Sequence, residues 1–311
     1  MQVRDVPVLI LVFNRPDVTQ RLMLQLQKIR PRQLFVGADG ARKHKHAEVE
    51  HCKAVRHSVA THVNWDCELH TLYRDENLGC KNAVSTAIDW FFSQVAYGII
   101  LEDDCIPHPS FVQFCAELLE QHKDREQIMH IAGFNYFGKY THLQSSYFYS
   151  NLAFVWGWAT WRRAWAKMDI NMKLFPEIKA QGRYKHLVRD TAGQRYMLEK
   201  WEETYLKKND SWAYAWAFSI FAHGGLCIVP TYNLISNQGF NQQATNTRSD
   251  RVSFANSKTY AMDFPLKHPS NFNVSAREDK RLFYVAHKSR MGLWIRQVVP
   301  RFVLDFLNKR K

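Results

Sequence analysis

Apolar and polar residues follow one another along the first hundred positions in blocks typical of alternating strands and helices. The predicted strands are short apolar segments at residues 6–13, 33–38, 68–73 and 97–101. Between them, apolar residues recur at helical spacing. The predicted helices cover about residues 18–29, 47–60 and 82–95. This strand–helix order predicts a mostly parallel sheet covered by helices on both faces.

Beyond residue 110 the pattern is less regular and rich in aromatic residues. It predicts a helix at residues 111–122, a buried helix at 211–223 and a short strand at 226–229. We therefore expect an α/β fold with a Rossmann-like, mostly parallel first half over residues 1–110. A mixed second half of the same domain follows over residues 111–275, and a basic tail covers 276–311.

Polar residues follow each of the four predicted strands of the first half. They are Asn14-Arg15, Asp39-Gly40, Asp75-Glu76-Asn77 and Glu102-Asp103-Asp104. Parallel sheets flanked by helices bind ligands beyond the carboxyl ends of their strands. Because the strand–helix alternation places these ends at one edge, we expect a binding site there.

Composition narrows the class of protein. The chain has 311 residues, of which 46% are hydrophobic, so a sizeable core is expected and disorder is excluded. No apolar run approaches the roughly 20 residues of a membrane-spanning helix, and residues 6–13 are interpreted as a strand rather than a signal peptide. The six cysteines form no CxxC pair, which favours free thiols and a cytoplasmic location.

The formal charge of +13 is concentrated at the C-terminus, where residues 276–311 hold ten Lys and Arg against three acids. A nucleic-acid partner would fit the charge alone, but no motif supports it and none is expected. Two interpretations remain open for the apolar face near the end of the tail: docking on an anionic membrane surface, or packing on the domain. This face comprises Ile295, Val298, Val299, Phe302, Val303 and Phe306.

The triplet Glu102-Asp103-Asp104 is the leading candidate for chemistry. Three adjacent acids at the end of an apolar strand repel one another unless a cation lies among them. No Lys or Arg neighbours the triplet in the sequence. Mn²⁺ and Mg²⁺ prefer carboxylate oxygens and commonly take their remaining ligands from water and phosphate. A solvated acidic turn is the alternative.

Two other strand ends suggest recognition of a nucleotide. Asp39 is a candidate acceptor for a base N–H, although Asp-Gly is also ordinary turn chemistry. Asn77, Gly79 and Lys81 open a helix whose N-terminus favours anions, although a helix start needs no ligand. The basic run from Arg42 is either a phosphate contact or an exposed loop.

Taken in order, these motifs resemble the GT-A-fold glycosyltransferases. Within that fold they resemble bacterial relatives of the N-acetylglucosaminyltransferase that initiates complex N-glycans, and the resemblance covers roughly residues 6–247. The matching segments are residues 8–16, Ala38-Asp39-Gly40, Glu76-Asn77-Leu78-Gly79, Ile100-Leu101-Glu102-Asp103-Asp104, residues 107–111, Phe154-Val155-Trp156-Gly157-Trp158-Ala159-Thr160-Trp161, residues 224–230, Asn233-Leu234 and Asn237-Gln238-Gly239-Phe240.

The resemblance implies a role for each matching position. Asp104 would bind Mn²⁺ or Mg²⁺ at the donor diphosphate, Asp103 would face the ribose or the metal's water shell, and Glu102 the donor sugar. Asp39 would read the base, beside Asn14-Arg15. The donor would be a nucleotide-diphospho-sugar, with a UDP-sugar favoured, bound by residues 1–110, while residues 111–275 would bind the acceptor.

Two departures from the family's pattern concern the catalytic base and the metal. Ala213 stands where relatives carry an acid that takes the acceptor's proton, and Asp210 is the nearest substitute, with an N-cap role as its alternative. Asn246 stands where a His that helps to hold metal or diphosphate is expected, and its side-chain oxygen can still coordinate.

Trp156 and Trp158 are candidates for stacking on a sugar, with core packing as the alternative. The resemblance implies an inverting hexosyl- or N-acetylhexosaminyltransferase that acts on a glycan or lipid-linked acceptor in bacterial surface polysaccharide or lipopolysaccharide synthesis. It would work in the cytoplasm or at the inner face of the cytoplasmic membrane. The competing hypothesis is a non-catalytic binder of nucleotide-sugar or glycan. A sugar nucleotidyltransferase is less favoured, because no Gly-rich basic loop follows Phe13.

Overall fold

The structure is a computed structural model that describes residues 2–239 and 254–287. The strands in this part of the chain are β1 Val8–Val12, β2 Gln33–Ala38, β3 Glu68–Tyr73, β4 Tyr97–Glu102, β5 Cys105–Pro107, β6 Ile128–Ala132, β7 Tyr147–Ser150, β8 Trp158–Trp161, β9 Leu226–Pro230 and β10 Ile235–Asn237. The α-helices are α1 Pro16–Ile29, α2 His46–His62, α3 Gly79–Gln94, α4 Ser110–Gln121, α5 Arg162–Trp165, α6 Phe175–Ala180, α7 Thr191–Tyr205, α8 Trp212–Ala222 and α9 Ala276–Ala286.

Eight strands form one sheet in the order β3-β2-β1-β4-β8-β6-β9-β7, and β5 pairs with β10. Strands β3, β2, β1 and β4 are parallel to their neighbours within that group. Strand β8 then runs antiparallel to β4 and β6, and β7 runs antiparallel to β9. The predicted α/β class, with a parallel first half and a mixed second half, is confirmed.

The alternation of side chains along β1 explains why helices cover both faces. Val8, Ile10 and Val12 point to one face and pack in a core that also contains buried residues of α1, α2 and α4. Leu9 and Leu11 point to the other face, where they join the buried side chains of α3 and α8. An apolar residue at every position is therefore required of this strand, because neither face meets water.

Most of the predicted elements of the first half are confirmed within two or three residues, and β2 and β3 have the predicted bounds. Helix α3 begins three residues earlier than expected, at Gly79, which has a φ of 77°. Glycine adopts this left-handed conformation without the strain that a Cβ would cause. The earlier start brings the first turn of α3 next to the strand ends.

The second half is held together by aromatic packing, and it includes the first residues of the predicted basic tail. Helix α9 buries Leu282 and Phe283 in the same core as α6 and α7, and Asp279 accepts hydrogen bonds from Ser150 Oγ and the Asn151 backbone N–H. Residues 276–286 are therefore a packed helix, whereas residues 288–311, with the apolar face near the tail's end, lie outside the described residues. None of the described helices has the length and hydropathy needed to cross a membrane.

Candidate functional site

A cavity of about 400 Å³ opens at the carboxyl ends of the parallel strands. It lies between the loops that follow β1, β2, β3 and β4 and the first turns of α3. Of the thirteen residues predicted for the site, ten line this cavity: Asn14, Arg15, Asp39, Asn77, Gly79, Glu102, Asp103, Asp104, Trp156 and Asp210. The rule that parallel strand ends share one edge therefore located the cavity.

Arg15 supplies the positive charge that the sequence around the acidic triplet lacks. Its Nη2 contacts Asp103 Oδ1 and donates to Asp104 Oδ2 at 2.8 Å, while its Nε lies 3.3 Å from Asp103 Oδ2. In the sequence, 88 residues separate Arg15 from Asp103. The fold brings the two side chains together because β1 and β4 are parallel neighbours in the sheet. No Lys or Arg neighbours the triplet in the sequence, but the fold places Arg15 beside it.

Burial and neighbouring charges shift the pKa values of Glu102, Asp103 and Arg15. Burial, reinforced by the charges of Asp104 and Asp103, raises the pKa of Glu102 to about 8. Burial also raises the pKa of Asp103, to about 6, although the Arg15 charge opposes this shift. Arg15 responds in the opposite sense: burial lowers its pKa, but the charges of Asp103 and Asp104 outweigh burial and raise it. Arg15 therefore remains fully charged, while Glu102 takes up a proton near neutral pH.

The segment after β10 closes over Asp104. The Gln238 backbone N–H donates to the Asp104 carbonyl at 2.8 Å, and Asn237 Nδ2 lies 3.4 Å from Asp104 Oδ1. A Cβ on Gly239 would lie only 2.0 Å from Asp104 Oδ2, so a glycine is needed for this close approach. Gly239 therefore packs directly against this carboxylate oxygen, and any larger residue would clash with it.

The chemistry of these donors fits a hard divalent cation that keeps part of its water or takes phosphate oxygens. Within residues 2–239 and 254–287, no group of three or more His, Cys, Asp or Glu side chains is placed to hold a metal ion by itself. Mg²⁺ is nevertheless often bound by one or two carboxylates together with substrate phosphates. Asp104 and the adjacent Asp103 provide two carboxylates of this kind, and the Gly239 backbone lies beside Asp104.

Asp39 connects the loops after β2 and β3 through hydrogen bonds. Its carboxylate accepts hydrogen bonds from the Leu78 backbone N–H at 3.0 Å and from Asn77 Nδ2 at 2.9 Å. Burial raises the pKa of Asp39, although the backbone N–H groups of Leu78 and Gly40 and the charge of Arg74 oppose the shift. Gly40 lies directly against the next loop, since a Cβ there would be 2.5 Å from the Glu76 carbonyl carbon. Asp39 and Asn77 therefore form one hydrogen-bonded unit on the cavity wall.

Asp210 lies at the amino end of α3, although 129 residues separate it from that helix in the sequence. Its Oδ2 accepts from the Lys81 backbone N–H at 3.4 Å and lies 3.2 Å from the position of a Cβ on Gly79. The N-cap of α8 is instead Ser211, whose hydroxyl accepts from the Tyr214 N–H. The anion-attracting position predicted at the start of α3 thus faces a carboxylate of the protein itself. The Lys81 side chain does not line the cavity.

The two candidate stacking residues have different surroundings. Trp156 is partly buried and lines the cavity, where it also contacts Phe134 and Tyr136 edge-on or tilted. Trp158 is fully buried, because β8 pairs with β4 and turns this side chain into the core between His130 and Trp212. Its ring faces are covered by protein, so the stacking hypothesis now rests on Trp156. Asn246 lies outside the described residues.

The sequence did not single out several cavity residues. Arg74 lines the cavity and follows β3 directly. The polar residues predicted after this strand began at Asp75, so Arg74 was not among them. Arg42, by contrast, begins the basic run that the sequence indicated as a phosphate contact or an exposed loop. It lines the cavity, but its guanidinium is paired with Glu48. Asn237 and Gly239 belong to a segment matched to the family without a role, and no local pattern indicated that it covers Asp104.

A second, smaller cavity of about 170 Å³ shares Trp156 with the first. It is lined largely by apolar and aromatic side chains, among them Phe154, Trp201 and Tyr214. Ala213 also lines it, so the position at which the resemblance implies an acid faces this second cavity. No Asp or Glu of the described residues lines it.

Comparisons with known proteins place few limits on this site. No protein-family model matches the chain, and no curated protein matches it. Among solved structures 41 chains match, including a cytidylyltransferase from Leptospira borgpetersenii serovar Hardjo-bovis with 10% identity and a TM-score of 0.32. That match covers 53% of this chain and 63%, less than two thirds, of the cytidylyltransferase. A likeness this distant carries no argument about activity.

Proposed function

We propose that this protein is a metal-dependent glycosyltransferase that moves a sugar from a nucleotide-diphospho-sugar, with a UDP-sugar favoured, to a glycan or lipid-linked acceptor. One observation carries the proposal. The acidic residues Glu102, Asp103 and Asp104 line one cavity together with the hydrogen-bonded pair Asp39 and Asn77. Carboxylates suited to a cation and polar groups suited to a base, both at parallel strand ends, are what binding of a nucleoside diphosphate requires.

In this proposal, Asp104 and Asp103 hold Mn²⁺ or Mg²⁺. The cation, when bound, neutralises charge that builds up on the departing nucleoside diphosphate. Asp39, already oriented by Leu78 and Asn77, accepts from the base. Glu102 has no hydrogen-bond partner among the described side chains that would hold it away from a donor sugar, and it contacts the sugar hydroxyls.

On the acceptor side, Trp156 supports the proposal because it forms a wall of both cavities. An aromatic face offers a flat apolar surface to one side of a sugar ring. Asp210 is the proposed base for an inverting transfer, since it is exposed and lines the main cavity, as Trp156 does. The proposed context is surface polysaccharide or lipopolysaccharide synthesis, in the cytoplasm or at the inner face of the membrane.

A non-catalytic binder of nucleotide-sugar or glycan is the second candidate. It is favoured by one observation: Ala213 leaves the smaller cavity without a carboxylate from the described residues. An acid there would be expected in a transferase of the resembled family. The two candidates share the donor site and differ in whether the bound donor is turned over.

The donor site is tested by thermal shift with UDP, GDP, dTDP and CMP, each with and without Mn²⁺. A ligand that binds the native state raises its apparent stability by RT ln(1 + [L]/Kd). We expect one nucleoside diphosphate to shift the melting temperature only when Mn²⁺ is present. Asp104→Asn should remove that shift while its own melting temperature stays close to that of the wild type. Equal shifts in both proteins would remove Asp104 from the site.

A further inference from the structure

Arg15 has two separate roles that its backbone and side chain divide between them. Its carbonyl accepts from the Thr19 N–H at 3.1 Å and from Thr19 Oγ1 at 2.9 Å, so the backbone caps α1. Its side chain leaves the helix, lines the cavity and spans Asp103 and Asp104. Any substitution other than proline preserves the cap, and the side chain can be changed independently of it.

The Asp104 oxygen that Arg15 contacts is also the oxygen against which Gly239 packs. Arg15 Nη2 lies 2.8 Å from Asp104 Oδ2, and this same oxygen lies 2.0 Å from the position that a Cβ on Gly239 would occupy. A divalent cation on that oxygen would face a full positive charge a few ångströms away. At 4 Å, two unit charges interact by about 4 kcal/mol in surroundings of intermediate polarity, and a doubly charged ion interacts more strongly.

We infer that Arg15 is an internal counter-ion that competes with the metal for Asp104, and that a nucleoside diphosphate relieves this competition by accepting Arg15 itself. The inference rests on the proposed donor site. A guanidinium forms bidentate hydrogen bonds with phosphate as readily as with carboxylate. The diphosphate therefore offers Arg15 a new partner in the same cavity and leaves Asp104 free for the cation.

This exchange has a thermodynamic consequence. Metal alone must displace Arg15 and leave its charge without a partner, so the metal binds weakly. With a diphosphate present, that cost falls, and each ligand raises the affinity of the other by the same factor. Arg15 would thus make the cation bind together with the nucleotide rather than before it, which identifies Arg15 as a positioning residue.

The test measures Mn²⁺ binding by electron paramagnetic resonance, without and with UDP, in the wild type, Arg15→Met and Arg74→Met. We expect UDP to tighten Mn²⁺ binding to the wild type at least tenfold, which corresponds to about 1.4 kcal/mol. Arg15→Met should bind Mn²⁺ alone at least tenfold more tightly than the wild type, with little further effect of UDP. Arg74 lines the same cavity without contacting the triplet, so its variant should bind Mn²⁺ alone like the wild type.

Arg15→Lys provides a second variant in case Arg15→Met does not fold. A lysine keeps the charge but cannot span two carboxylates as a guanidinium does, so its affinity for Mn²⁺ alone should exceed that of the wild type. A folded Arg15 variant that binds Mn²⁺ no more tightly than the wild type would overturn the inference. If Arg15→Met gains Mn²⁺ affinity but no protein binds UDP, the proposed donor site fails while the competition by Arg15 stands.

Discussion

The two halves of the sheet use their side chains differently. Strands β1, β2 and β4 are apolar along their lengths and carry charged or amide groups where they end, at the cavity. Strands β7 and β8 carry bulky aromatic residues within the strands, and Trp158, Trp165, Trp212 and Trp216 contact one another in the core. The first half therefore places most of the charged groups of the cavity, and the second half supplies Trp156 as an aromatic wall together with Asp210.

This difference predicts which substitutions should lower the stability of the protein and which should weaken ligand binding. In the first half, a side chain at a strand end can change with little loss of core. In the second half, neighbouring tryptophans of one short segment, Trp156 and Trp158, have opposite surroundings: one lines the cavity and the other is fully buried. The four predictions below, ordered by expected size, test this division.

The largest effect is expected for Trp158→Ala. Removal of a fully buried indole should lower the free energy of unfolding by about 3–5 kcal/mol, measured by chemical denaturation. The matched control is Trp156→Ala, which should cost about 1 kcal/mol because Trp156 is only partly buried. Equal losses for both tryptophans would contradict the assignment of one to the core and the other to the cavity wall.

Gly40→Ala should lower the free energy of unfolding by about 3 kcal/mol, at the upper end of the overpacking range, because the new methyl group meets backbone atoms rather than a mobile side chain. The same change should weaken nucleotide binding, since it pushes apart the loops that Asp39 joins. Gly224→Ala is a useful control for glycine itself: no atom lies within 4 Å of its Cβ position, and only the cost of its positive φ remains. A Gly40→Ala protein with wild-type stability would show that these loops do not need their close contact.

Asp210→Asn should reduce turnover on the order of 100-fold, or about 2.7 kcal/mol in activation free energy, if Asp210 takes the acceptor's proton. The amide oxygen can still accept from the Lys81 N–H, so the melting temperature and nucleotide affinity should change little. Ser211→Ala, which removes the adjacent cap of α8, is the control for a purely local disturbance. Turnover within a few-fold of the wild type would assign Asp210 to stabilisation of α3 alone.

Glu102→Gln should stabilise the protein in a pH-dependent way. Glu102 ionises near pH 8 in the folded chain, whereas an unfolded Glu ionises near pH 4.3. Between these values the folded state binds the extra proton, so wild-type stability falls as pH rises. The variant lacks this loss, and its advantage should grow from near zero at pH 4 to on the order of a few kcal/mol at pH 8. An advantage that does not change with pH would refute the raised pKa.

The first half could be predicted closely because its determinants are local. Each strand has a continuous apolar segment, each helix has its own periodicity, and parallel pairing follows from their order. These features alone placed Asp39, Asn77 and Glu102 at one edge. The second half offered no such alternation, and β6, β7 and β8 were not predicted. The direction of Trp158 depends on its pairing with Ile100, which the sequence around Trp158 does not encode.

The remaining features of the site arise from contacts between distant segments. Arg15 meets Asp103 across 88 residues, and Asp210 meets Lys81 across 129. Each of these residues has an ordinary local interpretation, as part of a strand end or a helix cap. No periodicity or spacing within one segment can report which distant group will contact it, so these two contacts required the structure.

The central claim is tested most directly by turnover of the donor. UDP-, GDP-, dTDP- and CMP-sugars are incubated with the wild-type protein and with Asp104→Asn, with and without Mn²⁺, and the release of free nucleotide is followed by phosphorus NMR. We predict release from one donor, only with Mn²⁺ and only by the wild type. Binding of a donor without release by the wild type, with or without candidate glycan acceptors, would contradict a transferase and support the non-catalytic binder.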